Sequence, residues 1–461
     1  MSHRNYDVII IGAGPAGIFT ALELSSHAKL DILMLEKGPD IEKRHCPIRE
    51  LGKGCAHCNP CMLLCGWGGA GAFSDGKLTL SPAVGGHLAA LLGDEAASVL
   101  IQEVDETFVH FGATGPIYGT NYDDIERLEK RAALAGLRLI SFPIRHLGTE
   151  RSGEILTAMR DELAGRGVEI RTRTKVSRIL VENWQAAGVE TAEGEIIEGK
   201  HVVVAPGREG APWLKEVANQ LNLSLSRNPV DLGVRVELPA EVLAPITELV
   251  YEPKLHYYSR AFDDKVRTFC VCPYGEVVTE YADEVMTVNG HSYANRRTEN
   301  TNFAILVSKT FTEPFKDPIT YGRYIASLAN LLGDGVIVQR LGDLQQGRRS
   351  NEERLARSIV KPTLRDATPG DLNLVLPYRY IVNILEMLEA MDKIAPGVNS
   401  RHTLLYGVEV KFYSSRLELS KSLETEVENL FAAGDGAGVT RGLVQASASG
   451  LLVAREILTR G

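Results

Sequence analysis

The first 36 residues constrain the fold more than any other part of this chain. Tyr6 to Ile11 (YDVIII) is a short β-branched apolar run, the pattern of a strand buried on both faces. It breaks at Gly12-Ala13-Gly14-Pro15-Ala16-Gly17 and resumes as IFTALELSS, helical in pattern, before a second buried run, DILMLE, ends at Glu36. Strand, glycine turn, helix, strand is a βαβ unit. A GxGxxG alone is weak, but here it follows a strand, opens a helix and precedes Glu36 by nineteen residues. Each part has a mechanical role. Gly12 permits the turn, Gly14 lets backbone approach a pyrophosphate, and Gly17 lets helix and strand pack closely. The helix N-terminus offers unpaired N–H groups to phosphates, and Glu36 can accept hydrogen bonds from a ribose. The dinucleotide site read from this segment is Gly12, Gly14, Pro15, Ala16, Gly17, Glu36 and Lys37.

The rest of the 461 residues must supply one or two further domains. Residues 37–87 carry almost no periodic pattern and are rich in Gly and Cys, and so long an irregular segment is more often functional than idle. Helical spacing returns near 94–111, 123–136 and 152–165. The stretches VEIRTRTKVSRILVEN and GEIIEGKHVVVAPG read as strands. From about 224 to 355 the texture changes to alternating strands (LGVRVEL, RTFCVCPYGEVVTEY, FAILVSKTF) with one helix near Tyr321 to Leu332. The end returns to a buried strand, NLFAAGD, a glycine-rich turn and a final helix, VQASASGLLVAREIL. The expected architecture is α/β: a Rossmann-like dinucleotide domain from residues 1–223 and 356–461, with a mostly antiparallel α+β substrate domain, 224–355, inserted between them.

Charge and hydropathy narrow the function. Fifty Lys and Arg against 59 Asp and Glu leave a net charge of −9, which argues against a nucleic-acid partner. The apolar stretch Val8 to Leu22 is interrupted by four of the residues above and lacks a basic flank, so neither a signal peptide nor a membrane span is expected. A cytoplasmic location follows.

The C-terminal NLFAAGDGAGVTRGLVQASASG resembles the second FAD motif of flavoprotein oxidoreductases. Together with GWGGAGAFSDGKLTL, HVVVAPGREG, NPVDLGVRVELP, VNGHSYANRR, GDLQQGRRS and LLYGVEVK, it makes nearly the whole chain resemble the uncharacterised FAD-dependent dehydrogenases, flavoproteins similar to succinate dehydrogenase and fumarate reductase subunits. The resemblance implies FAD as cofactor. It implies that Asp435, after Gly434, holds the ribityl chain, and that Gly442, Leu443, Val444 and Gln445 lie beside the flavin N1–C2=O edge. Reduction puts negative charge there, and a helix N-terminus stabilises it. It also implies that Gly69, Ala70, Ser74, Asp75, Gly76 and Lys77 lie against the flavin, that Val176 marks the adenine end, and that Ala205 and Gly207 belong to the site. No second glycine fingerprint follows a buried strand, so the reductant is either NAD(P)H visiting the substrate face or an electron-donor protein. The expected function is an FAD-dependent dehydrogenase or reductase acting on a small molecule. The rivals are a non-redox flavoprotein, isomerase-like or with structural FAD, and an electron-transfer subunit serving a protein partner.

Five of the seven cysteines lie between Cys46 and Cys65. Cys55-x2-Cys58-x2-Cys61-x3-Cys65 matches the bacterial ferredoxin run, whose fourth cysteine ligates the other cluster in two-cluster proteins. A distant cysteine followed by Pro then completes the set, and Cys46-Pro47 offers one. The preferred metal ligands are Cys46, Cys55, Cys58 and Cys61, holding a [4Fe-4S] cluster or zinc, with Cys65 as alternate; plain thiols are the third reading. Cys270 and Cys272 alternate on a strand, which sends them to opposite faces and suits core packing. For substrate chemistry, His146 just before a helix is the candidate acid/base, Arg348 with Arg349 a candidate carboxylate clamp, and Tyr293 a candidate phenol.

Overall fold

The computed structural model describes residues 5–460 apart from 47–57, 59, 75, 148, 227–229, 283–284, 293–295, 310, 312–316 and 412–415. The chain divides into two compact units. The first comprises Met1–Pro116, Ile144–Asn228 and Ser414–Gly461, and the second Ile117–Pro143 and Pro229–Tyr413.

The first unit is built on a seven-stranded sheet in which Asn5–Ile11 lies between Ile32–Glu36 and Ile196–Val204, all parallel. Glu169–Thr172 extends the parallel set on one side, and Leu430–Ala432 pairs parallel with Ile196–Val204. The other neighbours of Ile196–Val204 are antiparallel: Gln185–Thr191 and then Val176–Glu182. Val8 to Ile10, Leu33, Met34 and Val202 to Val203 are sealed from solvent, as a sheet covered on both faces requires. The fingerprint helix Pro15–His27 packs along the closing helix Leu443–Arg460. Their approach depends on Gly450, where a Cβ would lie 2.2 Å from the Ala16 carbonyl oxygen. Thr20 marks the same crossing, its hydroxyl donating to the Ala16 oxygen at 2.8 Å and the Gly450 oxygen at 3.2 Å.

The second unit is an eight-stranded sheet running Thr368–Pro369, Ile337–Arg340, Leu404–Lys411, Val230–Pro239, Asn300–Lys309, Lys265–Cys272, Lys254–Tyr258, Arg138–Ile140. Every pairing is antiparallel except that of the two-residue edge strand Thr368–Pro369. Its order relocates two segments. Leu404–Lys411 pairs with Val230–Pro239 along most of its length, so residues 356–413 belong here, where the pattern assigns them to the dinucleotide domain. Helix Tyr122–Leu134 and strand Arg138–Ile140 also join this unit, so the chain enters it twice. The long run RTFCVCPYGEVVTEY is two strands in different sheets, Lys265–Cys272 in the large one and Glu276–Ala282 in a hairpin with Val285–His291. Nor is Pro318–Gly333 alone: Ala240–Thr247, Leu341–Gln345 and Glu352–Ala356 are helical as well.

Simple alternation fails at Cys270 and Cys272. The ladder with Asn300–Lys309 skips between Phe269 and Cys272, and Cys270 adopts a left-handed φ of 46°. A bulge of this kind inserts an extra residue and turns the strand. Both sulfurs consequently stand on one side, 3.9 Å apart, rather than on opposite faces.

Candidate functional site

One end of the first unit's sheet opens into an elongated cleft with about 1230 Å³ of empty space, part of it open to solvent. The loops that leave consecutive parallel strands form it. Gly12, Gly14, Pro15 and Ala16 come from the fingerprint turn; Leu35, Glu36 and Lys37 end the second strand; Ala205 to Gly210 follow Ile196–Val204; Gly434 and Asp435 follow Leu430–Ala432. Thr174, Lys175 and Val176, Gly69 to Gly71, Ser74, Gly442, Leu443 and Ala446 complete the walls. Ligand clefts of α/β sheets lie at the carboxyl ends of the strands in this way.

The three fingerprint glycines differ in why they must be glycine. Gly12 has φ 104°, and a Cβ there would lie 2.2 Å from the Ala205 oxygen. A Cβ on Gly17 would lie 2.0 Å from the Gly12 oxygen. The chain itself excludes side chains at both. At Gly14 the backbone is extended and the nearest atom to a Cβ is Gly69 Cα at 3.9 Å. Nothing in the protein forbids a side chain there; the space it would fill is the cleft.

Helix N-termini converge on the same space. Pro15–His27 begins after Gly14 with no side-chain cap, and Ala211–Gln220 after Gly210 likewise. Leu443–Arg460 begins after Gly442, whose φ is 89°. None of the three carries an acidic residue in its first turn. Their orphan N–H groups and dipoles leave positive potential that suits an anion or an electron-rich carbonyl edge.

Glu36 is buried, and its carboxylate accepts from the backbone N–H of Ala13 at 2.9 Å, Gly38 at 2.8 Å and Gly66 at 2.9 Å. It thereby ties the fingerprint turn to the start of the GWGG segment, while Oε2, which accepts only from Ala13, keeps a lone pair for a further donor. Arg44 holds that segment from the other side. Its guanidinium donates to the carbonyls of Met62, Leu63 and Trp67, and stacks over the Phe73 ring at 4.8 Å. Burial pulls its pKa down to about 10, against the opposing charge of Glu36. The half-buried Asp435 accepts from the Thr440 hydroxyl at 3.0 Å and the Gly442 N–H at 3.3 Å. Desolvation raises its pKa, with the Arg208 charge acting the other way. Lys37 and Glu209 form an ion pair at the cleft wall.

Comparison with known proteins bears first on the second unit. Residues 229–412 match the family model described as FAD-dependent protein, C-terminal domain-like. The match is confined to that segment, under half of the chain. It coincides with the main body of the second unit, Pro229–Tyr413. A protein of Clostridium beijerinckii, itself described only as uncharacterized, is 28% identical over 472 aligned positions, covering 98% of this chain and 80% of that one. Among solved structures, L-proline dehydrogenase from P. horikoshii aligns over 99% of this chain and 94% of its own, with a TM-score of 0.41 and 13% identity. Glycine oxidase from Geobacillus kaustophilus aligns over 99% and 95%, with a TM-score of 0.40 and 14% identity. No shared chemistry follows from likeness of that degree.

Most residues expected at the site do line the cleft: Gly12, Gly14, Pro15, Ala16, Glu36, Lys37, Gly69, Ala70, Ser74, Val176, Ala205, Gly207, Gly434, Asp435, Gly442 and Leu443. Others do not. Gly17 serves the packing of helix on strand. Val444 and Gln445 are buried away from the cleft, and the Gln445 amide donates to the Val84 carbonyl at 2.7 Å. Gly76 and Lys77 are absent from the lining, Lys77 being paired across a short ladder with His146. His146 is thus a half-buried strand residue outside the lining, beside Arg145, which forks onto Asp105 at 2.7 and 2.8 Å. Arg348 is no open clamp, because its guanidinium donates at 2.9 Å to Asp343. Asp75 and Tyr293 lie outside the described residues.

The cysteine run meets the cleft through its last member. Cys65 is buried, lines the wall and sits near Lys37 and Glu36. Burial pushes its thiol up to about 11, with Lys37 opposing. Cys46 and Cys61 are half-buried, Cys58 is exposed, and Cys55 lies outside the described residues. Among the described residues no group of three or more His, Cys, Asp or Glu is placed to hold a metal ion. The four-thiolate set includes Cys55 and so lies partly outside the described residues.

Sequence reasoning passed over Thr174, Lys175, Arg208, Glu209 and Trp213, all in the cleft wall. A signal for three of them exists. HVVVA, Pro-Gly and APWL repeat the strand–turn–helix order of the fingerprint without its glycine spacing.

Proposed function

We propose that the first unit binds FAD and that the protein is an FAD-dependent oxidoreductase of a small molecule. The observation that carries this reading is the cleft at Gly14, open where a Cβ would stand and faced by uncapped helix N-termini. The family match of the second unit supports it independently. In this assignment the pyrophosphate lies against Gly12 and Gly14 at the start of Pro15–His27, and Glu36 accepts from a ribose hydroxyl. Thr174 to Val176 flank the adenine. Asp435 accepts from the ribityl hydroxyls, and Gly442 with Leu443 presents the closing helix's N-terminus to the pyrimidine edge. When bound, FAD supplies two-electron chemistry at its N5 atom. The chain's part is to orient that ring, to stabilise charge on it with helix N–H groups, and to keep its ADP half buried.

Cys65, the last of the run, precedes Gly66, whose N–H donates to Glu36. We read Cys65 as a buried thiol beside the cofactor, with a [4Fe-4S] cluster or zinc on Cys46, Cys55, Cys58 and Cys61 as the reading that metal analysis decides. A cytoplasmic location belongs to the same proposal; among the described residues no helix is long and apolar enough to cross a membrane.

The test is spectroscopic. The purified protein should carry flavin absorbance, release FAD on denaturation, bleach on anaerobic reduction and recover its colour with an acceptor, with NAD(P)H and electron-donor proteins tried in turn as reductants. FAD that bleaches with dithionite but turns over with no acceptor would point to a non-redox role. Absence of bound FAD after reconstitution would remove the proposal. Iron, sulfide and zinc analysis of the same sample tests the cysteine run for a cluster or zinc.

A further inference from the structure

The second unit contains a polar constellation that the flavin reading does not use. Arg235, on Val230–Pro239, is wholly buried in the middle of the large sheet. Its Nε donates to Asn302 Oδ1 at 2.8 Å, and Nη1 faces both oxygens of the equally buried Glu409 at 3.4 Å. Its Nη2 donates to the Cys270 carbonyl at 2.7 Å and to Cys272 Sγ at 3.3 Å. Lys411 reaches Glu409 at 3.1 Å, and the more exposed Glu280 at 3.6 Å. Space for the guanidinium comes from Gly290, where a Cβ would lie 1.7 Å from Nη2.

Two features distinguish this from ordinary core packing. The backbone departs from a regular strand so that both sulfurs share one side, 3.9 Å apart. And the guanidinium of Arg235, paired with the buried Glu409, donates directly to Cys272 Sγ. Positive charge beside a cysteine favours the thiolate, the form that attacks a disulfide. Exposure differs in a useful order, with Cys270 half-buried and Cys272 sealed.

We propose that Cys270 and Cys272 form a redox-active dithiol that exchanges with low-molecular-weight disulfides. The thiolate of Cys270 attacks one sulfur of the incoming disulfide, forming a mixed disulfide and releasing the first thiolate. The thiolate of Cys272 then attacks the Cys270 sulfur, closing the Cys270–Cys272 bond and releasing the second. The protein pair loses two electrons and two protons, and the small disulfide becomes two thiols. Closure requires the sulfurs to move from 3.9 Å to about 2.05 Å. Arg235 is a positioning residue that holds Cys272 for the second step. The site is independent of the FAD assignment.

Full-length protein, reduced and freed of reductant under anaerobic conditions, is incubated with oxidised glutathione, acid-quenched, alkylated and mapped by peptide mass spectrometry. The peptide bearing both residues should appear unalkylated and two hydrogens lighter, and mapping separates it from the thiols of 46–65. Cys272→Ser should trap glutathione on Cys270, and Cys270→Ser should leave Cys272 unmodified in the native state. Alkylation of both residues in the treated wild type, a mixed disulfide at Cys270 that never resolves, or protection by a metal ion that a chelator releases would overturn the proposal. The wild-type measurement decides the matter even if a variant fails to fold.

Discussion

At Gly14 the protein's own packing is silent, whereas Gly12 and Gly17 are clamped by backbone oxygens at 2.2 and 2.0 Å. The same motif therefore contains one position reserved for a ligand and two reserved for the fold. Gly14→Val should purify folded, melt within a few degrees of the flavin-free wild type, and carry no FAD. Gly17→Val should fail to fold, because the clash is with backbone and cannot be relieved by a rotamer. Flavin content and thermal melts of both variants check this, and a Gly14→Val protein with stoichiometric FAD would remove the pyrophosphate from this turn. Asp435 poses a milder case. Asp435→Ala removes an acceptor at the cleft wall and should weaken FAD retention by about tenfold, one charge-assisted hydrogen bond at ~1.5 kcal/mol. Equilibrium dialysis against free FAD measures it.

The segment 62–68 is without periodicity, and one cation satisfies three of its carbonyls, beside the Glu36 carboxylate that accepts from Gly66. Arg44 supplies hydrogen bonds to the carbonyls of Met62, Leu63 and Trp67, while the Trp67 indole donates to Leu156 at 2.7 Å. Arg44→Met keeps much of the apolar volume but leaves carbonyls without donors, at ~1–3 kcal/mol for each that stays buried. The variant should melt lower and exchange amide hydrogens faster across residues 62–67. Unchanged exchange there would mean that the segment orders itself by other means. Motif spacing suggests a role for the cysteines of this region, but packing gives each a different environment. Cys65 is sealed against Glu36 and Lys37 while Cys58 is exposed.

Acid should unfold the second unit in two stages, a property of the molecule rather than of any one element. His256 is pushed down to about 4 by burial and by the cations Lys265 and Arg267, so it is neutral when folded. The unfolded chain takes up that proton near pH 6.5, so stability falls as pH drops from about 6.5 towards 4. Asp343 behaves in the other sense of charge. Although burial opposes ionisation, hydrogen bonds from Arg340, Ser350 and Arg348 hold it at about 2. Its contribution, ~2 kcal/mol, is present above the ordinary aspartate value and is lost as pH falls from about 4 to 2. Asp343→Asn should lower the melting temperature at pH 7, and the gap to wild type should close near pH 2. A gap that persisted in acid would mean Asp343 acts by shape rather than charge.

The local code of the chain was enough for the dinucleotide fold. A buried strand, a glycine turn and an uncapped helix interact within 36 residues, so their spacing is their geometry. Asp435 was marked only by the resemblance of its segment to the second FAD motif of flavoproteins. Other assignments depended on partners distant in sequence. Thr174 to Val176, Arg208 and Trp213 enter the cleft because parallel strands set their loops side by side, an adjacency that no window of residues contains. Residues 356–413 belong to the second unit because Leu404–Lys411 finds its hydrogen-bond partners in Val230–Pro239, 167 to 180 positions earlier. And Cys270 meets Cys272 because the ladder with Asn300–Lys309 forces a bulge, cancelling the alternation that a strand alone would impose. Periodicity describes a strand by itself; register, which decides what its side chains meet, exists only between strands.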